Sequence, residues 1–472
     1  MVNSSIIPAF SFLSLLPLLL LFLEVSSSFT PTDHHLINCG SSAPSTIDAD
    51  HRKFFGDESS LPHSVRLSAS QTIPLTDLEF KLSGDVSPLY NSVRIFRKPS
   101  KYTFRVKEKG AHLVRLHFHR FDSSNFDLSD AQFHVLADGY LLLNEFSGLT
   151  MKSLEIREYI LWVDSDKLEL SFKPLKKFNF GFVNAIEVIS APRDLILDSA
   201  QFVDSNGVIK IDGISRSAFE TMFRVNVGGA KVTPFNDSLW RTWTTDDGYL
   251  ESDHGSKEAH FGGKIKYQLG GASREVAPDN VYNSARVVSA SSSGVAKEYL
   301  TWGFPIVDGY KYLVRTHFCD IASPVLGSLY FNVYVNGDMS IENLDLSTIT
   351  NSLASPYYAD FVVNGENGVI TVSIGHSKGS SSSGVDALLN GIEVFKMSNS
   401  MNSLDGMVSA KSILRRCRGG NSSFLVLVVA AVGLLVAASV VLRKRLMAAS
   451  DSVAWSPLPV DISEVSLKST YL

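Results

Sequence analysis

The residues best suited to contact a ligand are aromatic and acidic side chains that cluster in one short stretch. The sequence LWRTWTTDDGYL contains Trp240, Trp243, Asp246, Asp247 and Tyr249. Aromatic faces can stack on sugar rings, and carboxylates can accept hydrogen bonds from sugar hydroxyls. The same side chains could instead pack between two domains and fix the angle between them. Both roles, ligand contact and domain packing, stay open for this stretch.

A second candidate site consists of basic side chains on two similar strands. The sequences LVRLHF and LVRTHF contain Arg115, His117, Arg315 and His317. Because residues two apart share a face of a strand, these side chains lie opposite the apolar ones that face the core. The basic face could bind an acidic sugar or peptide, or it could be a solvated face or a polar surface packed under a loop. His117 and His119 could begin a zinc site, but no Cys or carboxylate is placed in sequence to complete it, so we expect no metal.

Motifs that would indicate an enzyme are weak. Gly375–Gly379 matches the G-x-S-x-G pattern of hydrolases, which requires a strand before the serine and a helix after it. The serine-rich run that follows predicts a loop. The sequence has no HExxH motif and no Gly-rich phosphate loop. We therefore expect no catalytic residue, no cofactor and no enzymatic activity.

The elements that must position these residues are strands. The 472 residues carry a formal net charge of −5, which argues against a nucleic-acid partner. Short alternating runs such as KLELSFKP and GVITVSIG end in turn residues, and no amphipathic helix is long enough to build βαβ units. The pattern predicts an all-β fold of antiparallel sandwiches.

An internal repeat divides the strands into two domains. Five motifs recur in the same order: INCG and VNVG, YNSVR and YNSAR, LVRLHF and LVRTHF, FHVLADG and FNVYVNG, NAIEV and NGIEV. The repeat predicts two copies of one sandwich in tandem, with Leu116 equivalent to Thr316. The predicted boundaries are first domain 29–192, connector 193–223, second domain 224–397 and juxtamembrane stalk 398–423.

Two apolar segments flank this region. Leucine-rich sequence from Ile6 to Leu23, followed by small residues, predicts a cleaved signal peptide at 1–28. Residues 424–442 form an uncharged run long enough to cross a bilayer, and basic residues follow it. Since export places the N-terminal part outside, we expect a single-pass membrane protein with a short cytoplasmic tail at 443–472.

Export also bears on the cysteines and on glycosylation. Cys39 and Cys319 lie in different repeats without cysteines at the equivalent positions, so we expect buried free thiols. Cys417, just outside the membrane, could pair two chains. Asn236, in the sequon Asn-Asp-Ser, is the credible glycan acceptor.

The repeated motifs resemble those of the plant malectin-like receptor kinases of the FERONIA and THESEUS type. The most specific match is the segment from Arg224 to Leu250, which reads RVNVGG, then VTP, NDSLWRTW, DD and YL. The resemblance covers about residues 30–445 and implies two malectin-like β-sandwich domains. That family continues into a cytoplasmic kinase, whereas this sequence stops, so the resemblance is to a member without the kinase domain or to a truncated gene product.

The resemblance implies a plasma-membrane protein that faces the cell wall. It also implies partners: RALF-type secreted peptides with a GPI-anchored co-receptor, wall polysaccharide such as pectin, and a kinase-bearing relative. Three functions are compatible with the sequence. They are a ligand-binding receptor-like protein that acts as a decoy or accessory receptor, a structural tether between wall and membrane, and a secretory-pathway lectin.

Overall fold

The structure is a computed structural model that describes residues 29–77, 87–123, 126–252, 256–289, 299–377 and 385–450. Three features predicted from the sequence lie outside these ranges: the signal peptide, the tail beyond residue 450 and the end of the G-x-S-x-G match. The side chains of 416–426 and 448–450 are also outside the description, and Cys417 is among them.

The first half of the chain forms one β-sandwich, the first sandwich. Its strands are β1 (His34–Asn38), β2 (Ser45–Ile47), β3 (Lys53–Gly56), β4 (Val65–Ser68), β5 (Thr72–Thr76), β6 (Ser92–Phe96), β7 (Ser100–Arg105), β8 (Gly110–His119), β9 (Gln132–Ala137), β10 (Tyr140–Ser147), β11 (Leu154–Val163), β12 (Lys167–Pro174), β13 (Gly181–Val183) and β14 (Ala185–Ser190). One layer has the order β11-β8-β14-β1-β3-β2, and the facing strands run β10-β9-β12-β7-β4 and β13-β6-β5.

The second half repeats this plan as the second sandwich. Its strands are β15 (Ser199–Asp204), β16 (Gly207–Asp212), β17 (Phe219–Asn226), β18 (Thr244–Thr245), β19 (Leu250–Ser252), β20 (Lys257–His260), β21 (Ser284–Ser289), β22 (Leu300–Pro305), β23 (Lys311–Cys319), β24 (Phe331–Val335), β25 (Asp338–Leu344), β26 (Pro356–Asn364), β27 (Val369–His376), β28 (Val385–Leu389) and β29 (Gly391–Met397). One layer runs β16-β15-β26-β23-β29-β17, and the facing strands run β19-β22-β27-β24-β25 and β20-β21-β28.

Helices are few in the part of the chain that the structure describes. They are α1 (Asp279–Tyr282), α2 (Leu346–Thr350) and α3 (Ala410–Ser450), with 3₁₀ turns at Pro88–Asn91, Leu128–Asp130, Ile214–Arg216 and Pro234–Asn236. The carboxylate of Asp345 accepts from the backbone N–H groups of the first turn of α2, as an N-cap does.

The strand pattern follows the alternation read from the sequence. In β22, Leu300, Trp302 and Phe304 are buried while the residues between them are partly exposed. The buried members join the core between the two layers of the second sandwich. The equivalent core of the first sandwich contains Val114, Leu116 and Phe118, as the alternation predicted.

The internal repeat is confirmed by register. Leu116 of β8 pairs with Ile186 of β14, and Thr316 of β23 pairs with Ile392 of β29. Both motif strands are therefore central in their sheets, between equivalent neighbours. Sequence repetition and sheet position agree residue by residue.

The two sandwiches are joined through a shared sheet. Strand β17 of the second sandwich pairs with β11 of the first at Tyr159↔Glu220 and Ile160↔Phe219. This pairing makes one 13-stranded sheet of the two layers. A separate buried apolar cluster, with Leu113 from the first sandwich and Phe395 from the second among its members, lies at the junction.

Two predicted boundaries need correction. The connector predicted at 193–223 contains the hairpin β15–β16 and the start of β17, so much of it belongs to the sheet of the second sandwich. The predicted stalk at 398–423 is not a free spacer throughout. Residues 398–407, which we call the strap, return to the first sandwich: Leu404 is fully buried in its core, and its N–H donates to the Leu141 carbonyl. Sequence alternation could not show this, because the strap contributes one apolar side chain and no regular strand.

Helix α3 carries the predicted membrane span. The part that is long and apolar enough to cross a membrane covers Leu427–Met447, overlapping the predicted 424–442. The helix begins at Ala410, inside the predicted stalk.

Candidate functional site

The two histidines of the repeated strands are buried in equivalent polar networks. The hydroxyl of Tyr90 lies 3.0 Å from Nδ1 of His117, and Nε2 lies 2.9 Å from a carboxylate oxygen of Glu187. Both ring nitrogens of His117 therefore have a side-chain hydrogen-bond partner, as expected for a buried histidine with a structural role.

The second sandwich repeats this arrangement. Tyr282 lies 3.0 Å from Nδ1 of His317, and Glu393 lies 3.2 Å from Nε2. Burial lowers the pKa of His317, against the opposing effect of Glu393. The tyrosine comes from the YNS motif and the glutamate from the IEV motif, so three sequence repeats meet in one network.

The first arginine of the predicted basic face is also buried. Arg115 donates to Glu158 at 2.6 Å and to Glu187 at 2.7 Å, and a further N–H donates to the Leu239 carbonyl of the second sandwich at 2.9 Å. The strand pattern alone is compatible with ligand binding, with a solvated face and with packing under a loop. The contacts correspond to packing.

Arg315, its repeat equivalent, is held in the same manner by different partners. It makes two 2.7 Å hydrogen bonds with Asp360 and one with the Leu195 carbonyl of the connector. Its guanidinium lies 4.4 Å from the ring centroid of Tyr358. Both arginines are buried because segments distant in sequence, which contain Leu239 and Leu195, cover them. The pattern of a single strand cannot show such a cover.

Five buried charged residues form what we call the junction network: Arg115, Glu158, Glu187, Arg224 and Glu393. Arg224 donates to Glu158 at 2.7 Å and to Glu393 at 2.6 Å. Burial alone raises the pKa of Glu158, but Arg224 and Arg115 outweigh it and hold the net pKa below its usual value. All three glutamates were missed in the sequence; for Glu187 and Glu393, the acid repeated inside the apolar IEV strand was the available signal.

The tryptophans of the aromatic stretch differ in exposure. Trp243 is fully buried, and its indole N–H donates to Asp237 at 3.1 Å. Trp240 is partly exposed and packs at the junction, with the guanidinium of Arg52 6.0 Å from its ring. Trp240 therefore contacts the other sandwich, whereas Trp243 has no surface to offer a sugar.

The remaining residues of the stretch divide in the same way. Asp246 is buried, accepting from Arg286 at 2.5 Å and from the Trp302 indole at 2.9 Å. Asp247 is exposed and pairs with Arg286 at 3.3 Å. Tyr249 is half-buried and stacks on Phe304. Of the five candidate side chains in this stretch, Asp247 faces solvent fully and Trp240 and Tyr249 in part.

Two motif glycines lie where the backbone of a neighbouring strand comes very close. Gly228 has φ +64°, and a Cβ there would lie 2.4 Å from the Ala285 carbonyl oxygen. Gly40, its equivalent, has φ +77° and would place a Cβ 2.1 Å from the Val93 oxygen. Only glycine fits either position, since both backbone conformation and space exclude a side chain.

An open groove lies elsewhere, between the connector and the second sandwich. This connector cleft has a volume of about 980 Å³. Its walls are the connector residues 194–201 and the loop 267–275, and its floor is the start of β26. A groove of this size with aromatic and polar lining is the usual form of a ligand site.

The predicted thiols and the glycan acceptor can also be placed. Cys39 and Cys319 are free and buried, as predicted. Burial raises the pKa of the Cys39 thiol, which keeps it protonated and unreactive. Asn236 is exposed in its 3₁₀ turn.

Comparison with known proteins yields one family. The profile described as "Malectin-like domain" matches residues 37–397. A probable receptor-like protein kinase of Arabidopsis thaliana is 42% identical over 376 residues, covering 79% of this chain and 45% of that protein. The receptor-like protein kinase THESEUS 1 of the same plant is 37% identical over 402 residues, covering 84% and 46%. The chain thus spans about half the length of the curated relatives it matches.

Solved structures give the same result. A chain in the crystal structure of the plant peptide RALF23 in complex with FER and LLG2 superposes with a TM-score of 0.68 at 28% identity. The match covers 80% of this chain and 99% of that chain.

Proposed function

The chain belongs to the malectin-like family of plant receptor ectodomains, and from this premise we propose that it is a ligand-binding receptor-like protein of the plasma membrane. Its two sandwiches lie outside the cell and bind a RALF-type secreted peptide together with a GPI-anchored co-receptor. Helix α3 holds them at the membrane.

One observation carries this proposal. The match covers 99% of one chain in the crystal structure of RALF23 with FER and LLG2, which supports the proposal that the two sandwiches take part in a similar assembly. The junction network supports it further, because a rigid pair of domains presents a preorganised surface to a partner.

The test is a binding measurement on the full chain in lipid nanodiscs. A synthetic RALF-type peptide is titrated with and without a purified GPI-anchored co-receptor ectodomain, and oligogalacturonide is titrated separately. We expect saturable peptide binding that the co-receptor strengthens. Binding of oligogalacturonide alone would instead support a tether to wall polysaccharide, and binding of neither would refute the proposal.

A finer proposal concerns signalling. A polypeptide of these 472 residues has a ligand-binding region and an anchor, which suffice to capture ligand in competition with kinase-bearing relatives. It would then act as a decoy or accessory receptor. Overexpression should blunt the response of plant cells to the shared ligand, and removal of the residues after Arg445 should leave that effect intact. If the truncation abolishes the effect at unchanged surface level and ligand binding, the tail signals and the decoy role is wrong.

A further inference from the structure

The connector cleft contains an incompletely paired strand edge. Strand β26 pairs with β23 along its whole length, from Pro356 to Asn364. On its other side, in the described part of the chain, it pairs with β15 only at Gln201↔Phe361 and Phe202↔Val362. The first half of β26 therefore turns alternate backbone N–H and C=O groups toward the cleft, where β15 does not meet them.

Two side chains in the cleft also lack partners. The Oε1 atom of Gln201 and the Oγ atom of Ser273 are buried and make no hydrogen bond to any residue that the structure describes. A buried polar atom left unsatisfied costs roughly 1–3 kcal/mol. Because both atoms are screened from solvent, a polar ligand can pair with them only if the cleft walls shift as it enters.

Apolar groups frame the same groove. Tyr357 and Tyr358 form its floor and are partly exposed. On the rim, the side chain of Leu269 is fully exposed and that of Leu197 is 43% exposed. Alternate side chains of an added strand would find apolar contacts on both walls.

The charges around the cleft are of both signs. Lys210 and Arg274 lie on its border together with Asp194 and Glu275. A neutral oligosaccharide would leave these charges unmatched, and a polyanionic one would meet both carboxylates. A peptide that carries acidic and basic side chains fits them better.

We propose that the connector cleft binds an extended peptide segment, of about five residues, as an additional strand on the free edge of β26. This inference rests on the proposed function and specifies where, and by what contacts, a peptide ligand is held. Backbone hydrogen bonds to β26 supply a sequence-independent part of the affinity. The tyrosine floor and the Leu269 rim select the side chains.

The probe is a phage-displayed library of random dodecapeptides, selected on the full chain in nanodiscs. Selected peptides are synthesised, and amide hydrogen exchange is measured with and without peptide. We expect slower exchange in the first half of β26. Peptides with single N-methyl groups should lose binding with a period of two, because only alternate amides of an added strand face β26.

Variants locate the site. Leu269→Asp changes a fully exposed side chain, and Gln201→Ala removes the unpaired acceptor; we expect each to weaken peptide binding about tenfold. The matched control is Phe178→Asp, which replaces a side chain that is 87% exposed on the first sandwich, and it should leave affinity unchanged. A library that yields no binder, or binders equally tight to all variants, overturns the strand-addition proposal.

The outcomes also separate this inference from the proposed function. If a RALF-type peptide binds the wild type and both cleft variants equally, the chain is a peptide receptor with its site elsewhere. If oligogalacturonide or cellohexaose binds and loses affinity in the cleft variants while peptides do not bind, the cleft is a sugar site and the inference is wrong.

Discussion

Arg224 of the second sandwich donates a 2.7 Å hydrogen bond to Glu158 of the first, whose other carboxylate oxygen accepts from Arg115 at 2.6 Å. One carboxylate thus bridges an arginine from each sandwich at the point where β17 joins β11. All three groups are buried. Breaking either ion pair would therefore leave a charged side chain inside the protein without a partner, which is energetically costly. The relative orientation of the sandwiches is therefore tied to this contact.

The first prediction concerns Glu158→Gln. Removing the charge leaves Arg115 and Arg224 insufficiently compensated, so we expect the free energy of unfolding to fall by about 3–5 kcal/mol. Urea unfolding of the full chain in detergent micelles, followed by tryptophan fluorescence, measures it. Glu169→Gln is the matched control, since Glu169 pairs with Lys101 at the surface and its loss should cost at most about 1 kcal/mol. Equal effects of the two variants would contradict the structural role of the junction network.

The second prediction concerns pH. Burial lowers the pKa of His317 from its ordinary 6.5, so the unfolded chain binds this proton more readily and stability falls as pH drops below about 6.5. The pKa of Glu158 is below its ordinary 4.5, so a further loss follows as pH falls below about 4.5 toward the folded-state pKa.

Both contributions have the same sign, since acid favours the unfolded state in each case. Urea midpoints of the full chain between pH 8 and pH 3 should therefore decrease in two steps. The Glu158→Gln variant should show a smaller decrease below pH 4.5, while the step near pH 6 is retained. A midpoint that rises on acidification is incompatible with these buried groups.

The third prediction concerns the strap. Leu404→Ala removes a fully buried side chain from the core of the first sandwich, and we expect a loss of about 2–5 kcal/mol. Met407→Ala, three residues later and 71% exposed, is the control and should change stability by less than about 0.5 kcal/mol. Indistinguishable unfolding midpoints would show that the strap does not pack as described.

The fourth prediction concerns glycosylation. Asn236 is exposed, so we expect it to carry an N-linked glycan when the chain is produced in plant cells. Ser238→Ala destroys the sequon while leaving the asparagine in place. The Ser238→Ala variant should have the same electrophoretic mobility as wild-type protein from which a glycosidase has removed the Asn236 glycan. Recovery of the unmodified Asn236 peptide from the untreated wild type would contradict the prediction.

Each motif of the repeat was readable from the sequence, but its role was not. Alternation placed Leu116 in the core and His117 on the opposite face, and both placements are confirmed. The opposite face looked like a surface because a single strand does not show what covers it. In the structure, the second sandwich reaches Arg115 through the Leu239 carbonyl, so charged groups that resembled a binding strip are an internal support.

The sequence by itself determined the β class, the tandem repeat, the equivalence of its two central strands and the apolar span, because these depend on side-chain period and on motif order. The tertiary structure decided which polar residues are buried, where the strap returns and where a groove stays open. Those features arise from contacts between segments far apart in the chain, such as Glu158 with Arg224 and Leu141 with Leu404. No local pattern encodes such a pair, since its energy exists only once folding brings both partners out of water together.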